Sequence, residues 1–225
     1  MLKKLVFISI LFTLCLGLVS RPALADGIQN PSFEAINPLT SPCTGPEVCA
    51  YNFGPIPGWT ITGSGGSWQP SSHYLNLPLS DGGSIVAFSN GGTISQMLTG
   101  TSLLANTSYA LSVFIGNRLD GLNNTYTIAV DSGSTELCSF SGSSASIAPG
   151  TFADKTCSFQ SGSVPLGDLS IILTSGGTQV DFDNVRLTTS VPEPSSVLLT
   201  GFGLLFALIL LTYSKRKKLL LARLT

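Results

Sequence analysis

The sequence predicts an all-β domain between two apolar ends. Gly, Ser, Thr, Asn and Pro recur throughout the interior of the 225-residue chain, and no long stretch of it shows helical periodicity. Short runs in which apolar and polar residues alternate occur instead, which is typical of a β-sandwich or a β-barrel. Roughly 165 residues lie between the ends, enough for one domain with its own hydrophobic core.

Residues 1–25 are predicted to be a signal peptide. Lys3 and Lys4 form a positively charged start, Leu5–Val19 is apolar, and small alanines precede a cleavage site after Ala25. An uncleaved anchor is the alternative, but the small-residue site argues against it. The mature chain is therefore expected to be exported by the Sec route.

Residues 196–213 are predicted to form a single transmembrane helix. The segment contains no charged residue, and a helix of this length spans about 27 Å, close to the thickness of the bilayer core. Basic residues follow it and place the tail, residues 214–225, in the cytoplasm: they are Lys215, Arg216, Lys217 and Lys218. A buried core helix is the alternative, but it leaves these four cations unexplained.

The exported domain, residues 26–188, is acidic, and a short stalk, residues 189–195, joins it to the membrane segment. Residues 26–190 contain three basic and eleven acidic residues, a formal charge of −8. Such a domain repels phosphate backbones, which argues against nucleic acid as a partner. It also leaves carboxylates available for a hard cation.

Alternating apolar residues predict the strands. Three runs each place their apolar side chains on one face: Tyr109, Leu111, Val113 and Ile115; Tyr126, Ile128 and Val130; and Leu169, Ile171 and Leu173. Residues 85–88 and 93–98 flank Asn90-Gly91-Gly92, which favours a hairpin turn.

The last predicted strand changes phase. Val180 and Phe182 share one face, whereas Val185 and Leu187 lie on the other in a regular strand. A β-bulge at Asp183–Asn184 is therefore expected, and bulges often redirect a side chain for a purpose.

Four cysteines within the domain predict two disulfides, because an even number is typical of exported chains. Three pairings are possible, and the local one, Cys43–Cys49 with Cys138–Cys157, is preferred. The second bridge then closes a weakly patterned, serine-rich loop and stabilises the fold by about 3 kcal/mol. A metal site is disfavoured, because the spacings lack a CxxC and His73 is remote in the sequence.

The C-terminal segment resembles the PEP-CTERM sorting signal of Gram-negative bacteria. The motif, the apolar helix and the basic end occur in that family's order: Val191, Pro192, Glu193 and Pro194; residues 196–213; and residues 215–218. In the family this signal is thought to be recognised by an exosortase, a membrane protease-transpeptidase that cleaves near the motif. The resemblance implies a protein held in the inner membrane with its domain in the periplasm, and then released to the cell surface or the medium. Residues 219–225 make the tail longer than is usual.

The domain itself resembles the galactose-binding-like jelly rolls found in many carbohydrate-binding modules. Short motifs occur in that family's order: NPSFE (30–34), IPGWT (56–60), TISQML (93–98), SYALSVFIGN (108–117) and VDFDNVRL (180–187). The resemblance implies a two-sheet antiparallel jelly-roll sandwich with adjacent first and last strands. It also implies that Trp59 is a core residue.

The same resemblance implies a structural calcium ion between the first and last strands. Glu34 and Asp183 match the acidic residues of the two motifs, and carbonyls near Asn30 and Ser32 could complete a set of about six to eight oxygen ligands. The alternative is that Glu34 caps a turn and Asp183 only forms the bulge.

Catalysis is not expected. A catalytic triad needs a base, and His73 is the only histidine. The Gly63–Gly66 stretch lacks the spacing of a nucleophile elbow. Asp181 and Asp183, two residues apart on one strand, would lie on the same side of a substrate rather than flank a glycosidic bond.

Aromatic residues in the first half of the domain favour a binding function. Glycan sites combine aromatic faces with nearby polar groups. Trp68 follows a Gly-Gly-Ser stretch and is expected to be exposed, with His73 and Tyr74 close to it in the sequence. These three residues are the candidate carbohydrate ligands.

We therefore expect a non-catalytic surface or extracellular-matrix protein that is sorted by an exosortase and binds extracellular polysaccharide. Two alternatives stay open. One is a structural biofilm or floc protein without a specific small ligand, and the other is a periplasmic domain with a permanent membrane anchor.

Overall fold

The computed structural model describes residues 27–43, 49–99, 103–163 and 167–190, together with Gly203. The predicted signal peptide, the sorting motif at Val191–Pro194, the transmembrane segment apart from Gly203 and the basic tail lie outside the described residues. Within the described ranges, no helix has the length and apolar character needed to cross a membrane. Residues 22–190 form one compact unit.

The described part of this unit consists of twelve strands and one short 3-10 helix. The strands are β1 (Ser41–Pro42), β2 (Ala50–Phe53), β3 (Thr60–Thr62), β4 (Gly65–Gln69), β5 (Val86–Asn90), β6 (Thr93–Leu98), β7 (Ser108–Gly116), β8 (Thr125–Ser132), β9 (Thr135–Ser143), β10 (Phe152–Gln160), β11 (Leu169–Ser175) and β12 (Gln179–Ser190). The 3-10 helix, Ser144–Ser146, follows β9.

The strands form two antiparallel sheets that face each other. The order is β1-β2-β4-β5-β12-β7-β10 in the seven-stranded sheet and β3-β6-β11-β8-β9 in the five-stranded sheet. The predicted all-β, two-sheet antiparallel sandwich is confirmed. The first described segment is not a strand, but the Val185 N–H donates to the Pro31 carbonyl at 2.8 Å, so it lies against β12.

The core lies between the inner faces of the two sheets. The three predicted alternating runs are β7, β8 and β11, and every apolar residue that defines them is at most 3% exposed. Each residue of these runs packs in one central cluster together with Phe33, Trp59 and Phe182. Trp59 is 5% exposed, which confirms its place in the core.

The expected hairpin between β5 and β6 is wrong, although the turn itself is present. β5 pairs with β4 and β12, whereas β6 pairs with β3 and β11 in the other sheet. The turn therefore carries the chain from one sheet to the other. Gly91 adopts φ +73° there, a conformation that favours glycine.

The expected β-bulge in the last strand is confirmed. The register of β12 against β7 shifts between Asp183 and Arg186, and Asn184 has φ +45°. The extra residue brings Val185 and Leu187 back to the side of Val180 and Phe182, so that all four lie in the core.

Both predicted disulfides are confirmed, but the expected loop after Cys138 is wrong. Cys43 is bonded to Cys49 and Cys138 to Cys157. Most of the serine-rich segment forms β9 and β10, whose alternation is hidden because much of each edge strand is solvated. The second bridge therefore joins an edge strand of one sheet to an edge strand of the other.

Candidate functional site

The outer face of the seven-stranded sheet carries a continuous row of aromatic rings. Phe53 pairs with Gly66, which in turn pairs with Phe88, so the three residues point to the same side. Gly66 has no side chain, and the two phenyl rings meet across it, edge to face, with centroids 5.2 Å apart. Tyr51 contacts Phe53 in the same way at 5.5 Å. We call Tyr51, Phe53 and Phe88 the aromatic strip.

Trp68 lies beside the aromatic strip but is buried. It pairs with Tyr51 in the register and is only 3% exposed, so the expected exposure of its side chain is wrong. The Gly-Gly-Ser stretch before it is part of β4, and the segment after β4 folds back over the indole. A second apolar cluster results on this outer face, formed by Cys49, Trp68, Leu75, Leu79, Val86 and Phe88.

A stacked arginine borders this cluster. The Arg118 guanidinium lies 4.6 Å from the Trp68 ring centroid and 4.8 Å from that of Tyr74. Its Nε donates to Asp120 Oδ1 at 2.9 Å, and an Nη2 hydrogen bond to Oδ2 completes the pair. Burial raises the pKa of Asp120, but the hydrogen bond and the charge of Arg118 outweigh it and lower the pKa. The cation is thus fixed by two rings and neutralised by one carboxylate.

A cavity of about 210 Å³, here called the strip cavity, opens beside the aromatic strip. Asn90 and Gln179 pair across β5 and β12, so their side chains lie next to each other on its wall. Asn90 Oδ1 is buried and has no hydrogen-bond partner within the described ranges. The complete lining is Cys43, Tyr51, Phe53, Trp68, Tyr74, Phe88, Asn90, Arg118 and Gln179.

Asp181 lies next to this cavity, on the same face of β12 as Gln179. It is 0% exposed; its Oδ1 accepts from Gln179 Nε2 at 2.7 Å, and its Oδ2 has no partner among the residues described. Burial raises the pKa of Asp181 to about 7, against the opposing effects of the Gln179 hydrogen bond and the Arg118 charge. The carboxyl group is therefore partly protonated at neutral pH.

Asp183, the predicted calcium ligand, is also 0% exposed. Its Oδ1 accepts from the Asn184 N–H at 2.7 Å, and its buried Oδ2 has no N–H or O–H donor among the described residues. Burial raises the pKa of Asp183 to about 8, and the charge of Asp81, a side-chain hydrogen bond shared with Asp81 and the charge of Glu34 act in the same direction. Three acidic side chains therefore come together where the sequence suggested two.

Glu34, the other predicted ligand, caps the loop before β5. Its Oε1 accepts from the Ser84 and Ile85 N–H groups, each at 2.8 Å. The carboxylates of Glu34 and Asp81 both lie against Gly83, where an added Cβ would clash with Glu34 Oε1 and lie 3.0 Å from Asp81 Oδ2. Glu34 therefore has the turn-capping role given above as the alternative to calcium binding.

The oxygen atoms in this region are of the kind that calcium binds, but the side chains do not converge on one point. Calcium prefers carboxylate oxygens, and the open Oδ2 of Asp183 provides one. Among the described residues, no group of three or more His, Cys, Asp or Glu side chains is arranged to hold a metal ion. The Asn30 carbonyl already accepts from the Phe33 N–H and from Trp59 Nε1, so it does not supply the predicted ligand.

The structure separates the three predicted carbohydrate ligands. Trp68 and Tyr74 line the strip cavity, the indole as a buried wall and Tyr74 as a half-buried one. His73 is exposed, packs edge-on against Tyr74 at 4.8 Å and is not part of the lining.

The sequence interpretation missed most of the cavity. Apart from Cys43, six lining residues were not among the predicted ligands: Tyr51, Phe53, Phe88, Asn90, Arg118 and Gln179. Arg118 carried a usable signal, because it is one of only three basic residues in an acidic domain. The other five meet only through the strand register, which spans β2, β5 and β12.

Residues 26–188 match the family model described as HpiC1-like, HpiC1 cyclase. The match covers more than two thirds of the chain. The chain belongs to the HpiC1-like family. No curated protein matches this HpiC1-like chain.

Several solved structures are similar to the HpiC1-like domain in fold. The arabinose-bound α-L-arabinofuranosidase MgGH51 has a TM-score of 0.48 and 14% identity, over 76% of this chain and 31% of that one. The tandem CBM22 domain of Paenibacillus barcinonensis Xyn10C has a TM-score of 0.46 and 12% identity, over 79% and 49%. A CBM4 structure has a TM-score of 0.43 and 14% identity, over 72% and 99%. The chain thus spans less than a third of the arabinofuranosidase and about half of the tandem domain.

Proposed function

We propose that the exported domain is a non-catalytic module that binds extracellular polysaccharide through the strip cavity. The observation that carries this proposal is the meeting of the aromatic strip with two planar amides, Asn90 and Gln179, on one sheet face. Aromatic rings pack against the C–H faces of sugars, and amides donate to and accept from sugar hydroxyls.

The open acceptor of Asn90 adds an energetic reason for a polar ligand. A buried oxygen without a partner costs about 1–3 kcal/mol. Asn90 Oδ1 is such an atom within the described residues. A sugar hydroxyl that donates to it would recover this cost on binding.

The position of the cavity within the domain suits a tethered module. Gln179, at the start of β12, lines the strip cavity, and Ser190 ends the same strand. At about 3.3 Å per residue these two residues lie about 36 Å apart. The ligand site and the point where the chain leaves the domain are therefore at opposite ends of β12.

Affinity electrophoresis in gels containing xylan, β-1,4-galactan or polygalacturonate tests the proposal. Wild-type domain is expected to be retarded by at least one neutral polymer, and Tyr51→Ala and Asn90→Ala are expected to lose most of that retardation. Met97→Ala is the matched control, because Met97 is 63% exposed on the outer face of the other sheet. Retardation that survives both cavity variants would move the site elsewhere. No retardation in any gel would favour the structural matrix protein.

The sorting function rests on the C-terminal sequence. We infer from the resemblance at Val191–Pro194 that an exosortase processes the chain after its apolar segment has held the domain at the periplasmic face of the inner membrane. Intact mass after fractionation of the cells tests this. A species that begins at Asp26, ends near the motif and lies outside the inner membrane is expected. A species that ends at Thr225 in the inner membrane would mean a permanent anchor instead.

A structural calcium ion is the proposed cofactor. Glu34, Asp81 and Asp183 would hold it, and its positive charge would offset the repulsion between these neighbouring carboxylates. Asp183 contributes the open oxygen, while Glu34 would have to share its carboxylate between calcium and the backbone of residues 84 and 85. Calorimetric titration of the chelator-treated domain with calcium is expected to show one site that Asp183→Asn abolishes.

The family's description as a cyclase gives a second candidate function, and Asp181 is the observation that favours it. A buried carboxyl group with a pKa of about 7 can donate a proton at neutral pH. Against this role, Asp181 is 0% exposed and its Oδ1 is held by Gln179. Proton donation to a ligand from the unpartnered Oδ2 would therefore require the residues that bury Asp181 to move.

Mass spectrometry of cell extracts incubated with the domain tests this candidate. A new product that forms with wild type but not with Asp181→Asn would establish an enzymatic role. Identical extracts would leave glycan binding as the function, since Asp181→Asn keeps the side-chain shape and the Gln179 hydrogen bond.

A further inference from the structure

A second and larger cavity lies where the chain passes from one sheet to the other. Thr60–Thr62 is the edge strand of the five-stranded sheet, and residues 63 and 64 lead directly into β4 of the seven-stranded sheet. The cavity at this corner has a volume of about 600 Å³. We call it the corner cavity, and its lining is Phe53, Gly54, Pro55, Trp59, Thr60, Ile61, Gly63, Ser64 and Gly65.

Phe53 belongs to both cavities. Its ring is 52% exposed, although it contacts Tyr51 and Phe88 within the aromatic strip. It ends β2 and is the one described residue that lines both cavities. The two cavities therefore share one aromatic wall.

The geometry points to one continuous cleft that takes an extended segment of an uncharged polysaccharide, with Phe53 as the ridge between two subsites. This inference rests on the proposed glycan binding and adds a second subsite and the form of the ligand. An exposed ring between two cavities can pack against one sugar unit while the neighbouring units enter on either side.

The charges decide the class of polysaccharide. None of the described residues that line the corner cavity is charged. The only cation at the strip cavity, among the residues described, is Arg118, and Asp120 already neutralises it. The domain as a whole carries a charge of −8, which repels a polyanionic chain. A neutral polymer therefore fits this cleft better than a uronate or sulfated one.

Two threonines on one strand allow a matched test of the corner subsite. Thr60 and Thr62 are both exposed on the same face of β3, but only Thr60 lines the corner cavity. Thr60→Tyr is designed to fill the corner cavity, and Thr62→Tyr adds the same ring just outside it. Phe53→Ala removes the ridge itself.

Isothermal titration calorimetry with neutral xylo- and galacto-oligosaccharides, from disaccharide to hexasaccharide, provides the readout. For wild type and Thr62→Tyr, affinity is expected to rise about tenfold with chain length, the gain of one further aromatic contact. Thr60→Tyr is expected to keep the disaccharide affinity and lose the gain with length. Phe53→Ala is expected to weaken every length, and the hexasaccharide most.

Each outcome separates the second subsite from glycan binding itself. Affinity that does not depend on length, or an equal loss in Thr60→Tyr and Thr62→Tyr, would overturn the continuous cleft and leave the strip cavity as a single short site. Preference for an acidic oligosaccharide over the neutral series would overturn the inference about charge. No binding of any oligosaccharide would overturn the proposed function together with this inference.

Discussion

The inner faces of the two sheets are both apolar, whereas their outer faces carry different kinds of side chain. On the five-stranded sheet, a row of hydroxyl side chains crosses all five strands and meets solvent: Thr62, Thr93, Thr174, Thr127 and Ser141. On the seven-stranded sheet, the corresponding row carries rings and a buried acid: Phe53, Gly66, Phe88, Asp181, Gly116 and Phe152. The first face is what an antiparallel sheet with one solvated side normally presents.

The difference shows where in the molecule a site can form. Outward-facing positions of a sandwich are normally solvated and small, so a large or charged side chain that is buried there needs a separate cause. Trp68, Asp181 and Asp183 face outward and yet are 3%, 0% and 0% exposed. The segment after β4, which packs over part of this face, therefore turns an ordinary sheet surface into a second interior.

The most direct test of the difference between the two outer faces is to truncate one outward-facing side chain on each sheet. Trp68→Ala is expected to lower the free energy of unfolding by about 4 kcal/mol, because the indole packs with Tyr74 and carries Arg118. Thr127→Ala is expected to change it by less than about 0.5 kcal/mol, since that side chain is only half-buried and its hydroxyl hydrogen bond, to Ser141 Oγ, is open to solvent. Urea unfolding followed by circular dichroism measures both. Similar losses in the two variants would show that the two outer faces do not differ in this way.

The inner faces were predictable from the sequence because burial between two sheets imposes a period of two. Alternation alone assigns Leu111, Val113 and Ile115 to the inner face, without any knowledge of the residues they contact. The bulge at Asn184 followed from the change of phase in the last strand. The presence of two disulfides followed from the even number of cysteines and the predicted signal peptide, and the pairing from the preference for local partners.

The outer face was not predictable, because alternation assigns a residue to a side but does not say what covers that side. Trp68 appeared exposed from its Gly-rich surroundings, yet residues about ten positions further along the chain bury it. The sheet crossing after Asn90 was missed for a related reason, since a turn signal is the same for a hairpin and for a corner. Phe53, Asn90 and Gln179 meet only in the folded register.

The two disulfides lie in different parts of the molecule, so removing each one tests a different part of the fold. Cys138–Cys157 joins the two sheets and spans 19 residues, whereas Cys43–Cys49 spans 6 and borders only the strip cavity. Replacing both cysteines of a pair by serine is expected to cost about 3 kcal/mol for Cys138–Cys157 and about 2 kcal/mol for Cys43–Cys49. Thermal unfolding gives the order of the two losses. Loss of Cys43–Cys49, but not of Cys138–Cys157, should also weaken glycan binding. The reverse pattern would mean that the strip cavity does not depend on the Cys43–Cys49 bridge.

The last test concerns the ionisation of the two buried acids on the outer face of the seven-stranded sheet. Burial raises the pKa of Asp183 to about 8 and that of Asp181 to about 7, so the folded domain holds these protons more tightly than the unfolded chain does. The stability from this source is complete below the ordinary carboxyl pKa and is lost as the pH rises toward the raised values. In the presence of a chelator, we expect the free energy of unfolding to fall between about pH 5.5 and 7.5, by up to about 1.4 kcal/mol per pH unit for each of the two groups.

Two variants and one ion decide whether the covered carboxylates are the source of that slope. Asp183→Asn removes the titrating group while keeping an acceptor for the Asn184 N–H, so the fall with pH should shrink; Asp168→Asn, at an exposed position, should leave it unchanged. Millimolar calcium should oppose the fall in wild type, because an ion held by ionised carboxylates binds more tightly as the pH rises. An unchanged slope in both Asp183→Asn and Asp181→Asn would mean that these outward-facing acids ionise as freely as solvated ones. The outer face of the seven-stranded sheet would then differ from that of the five-stranded sheet in shape alone. The proposal of a calcium ion there would lose its electrostatic basis.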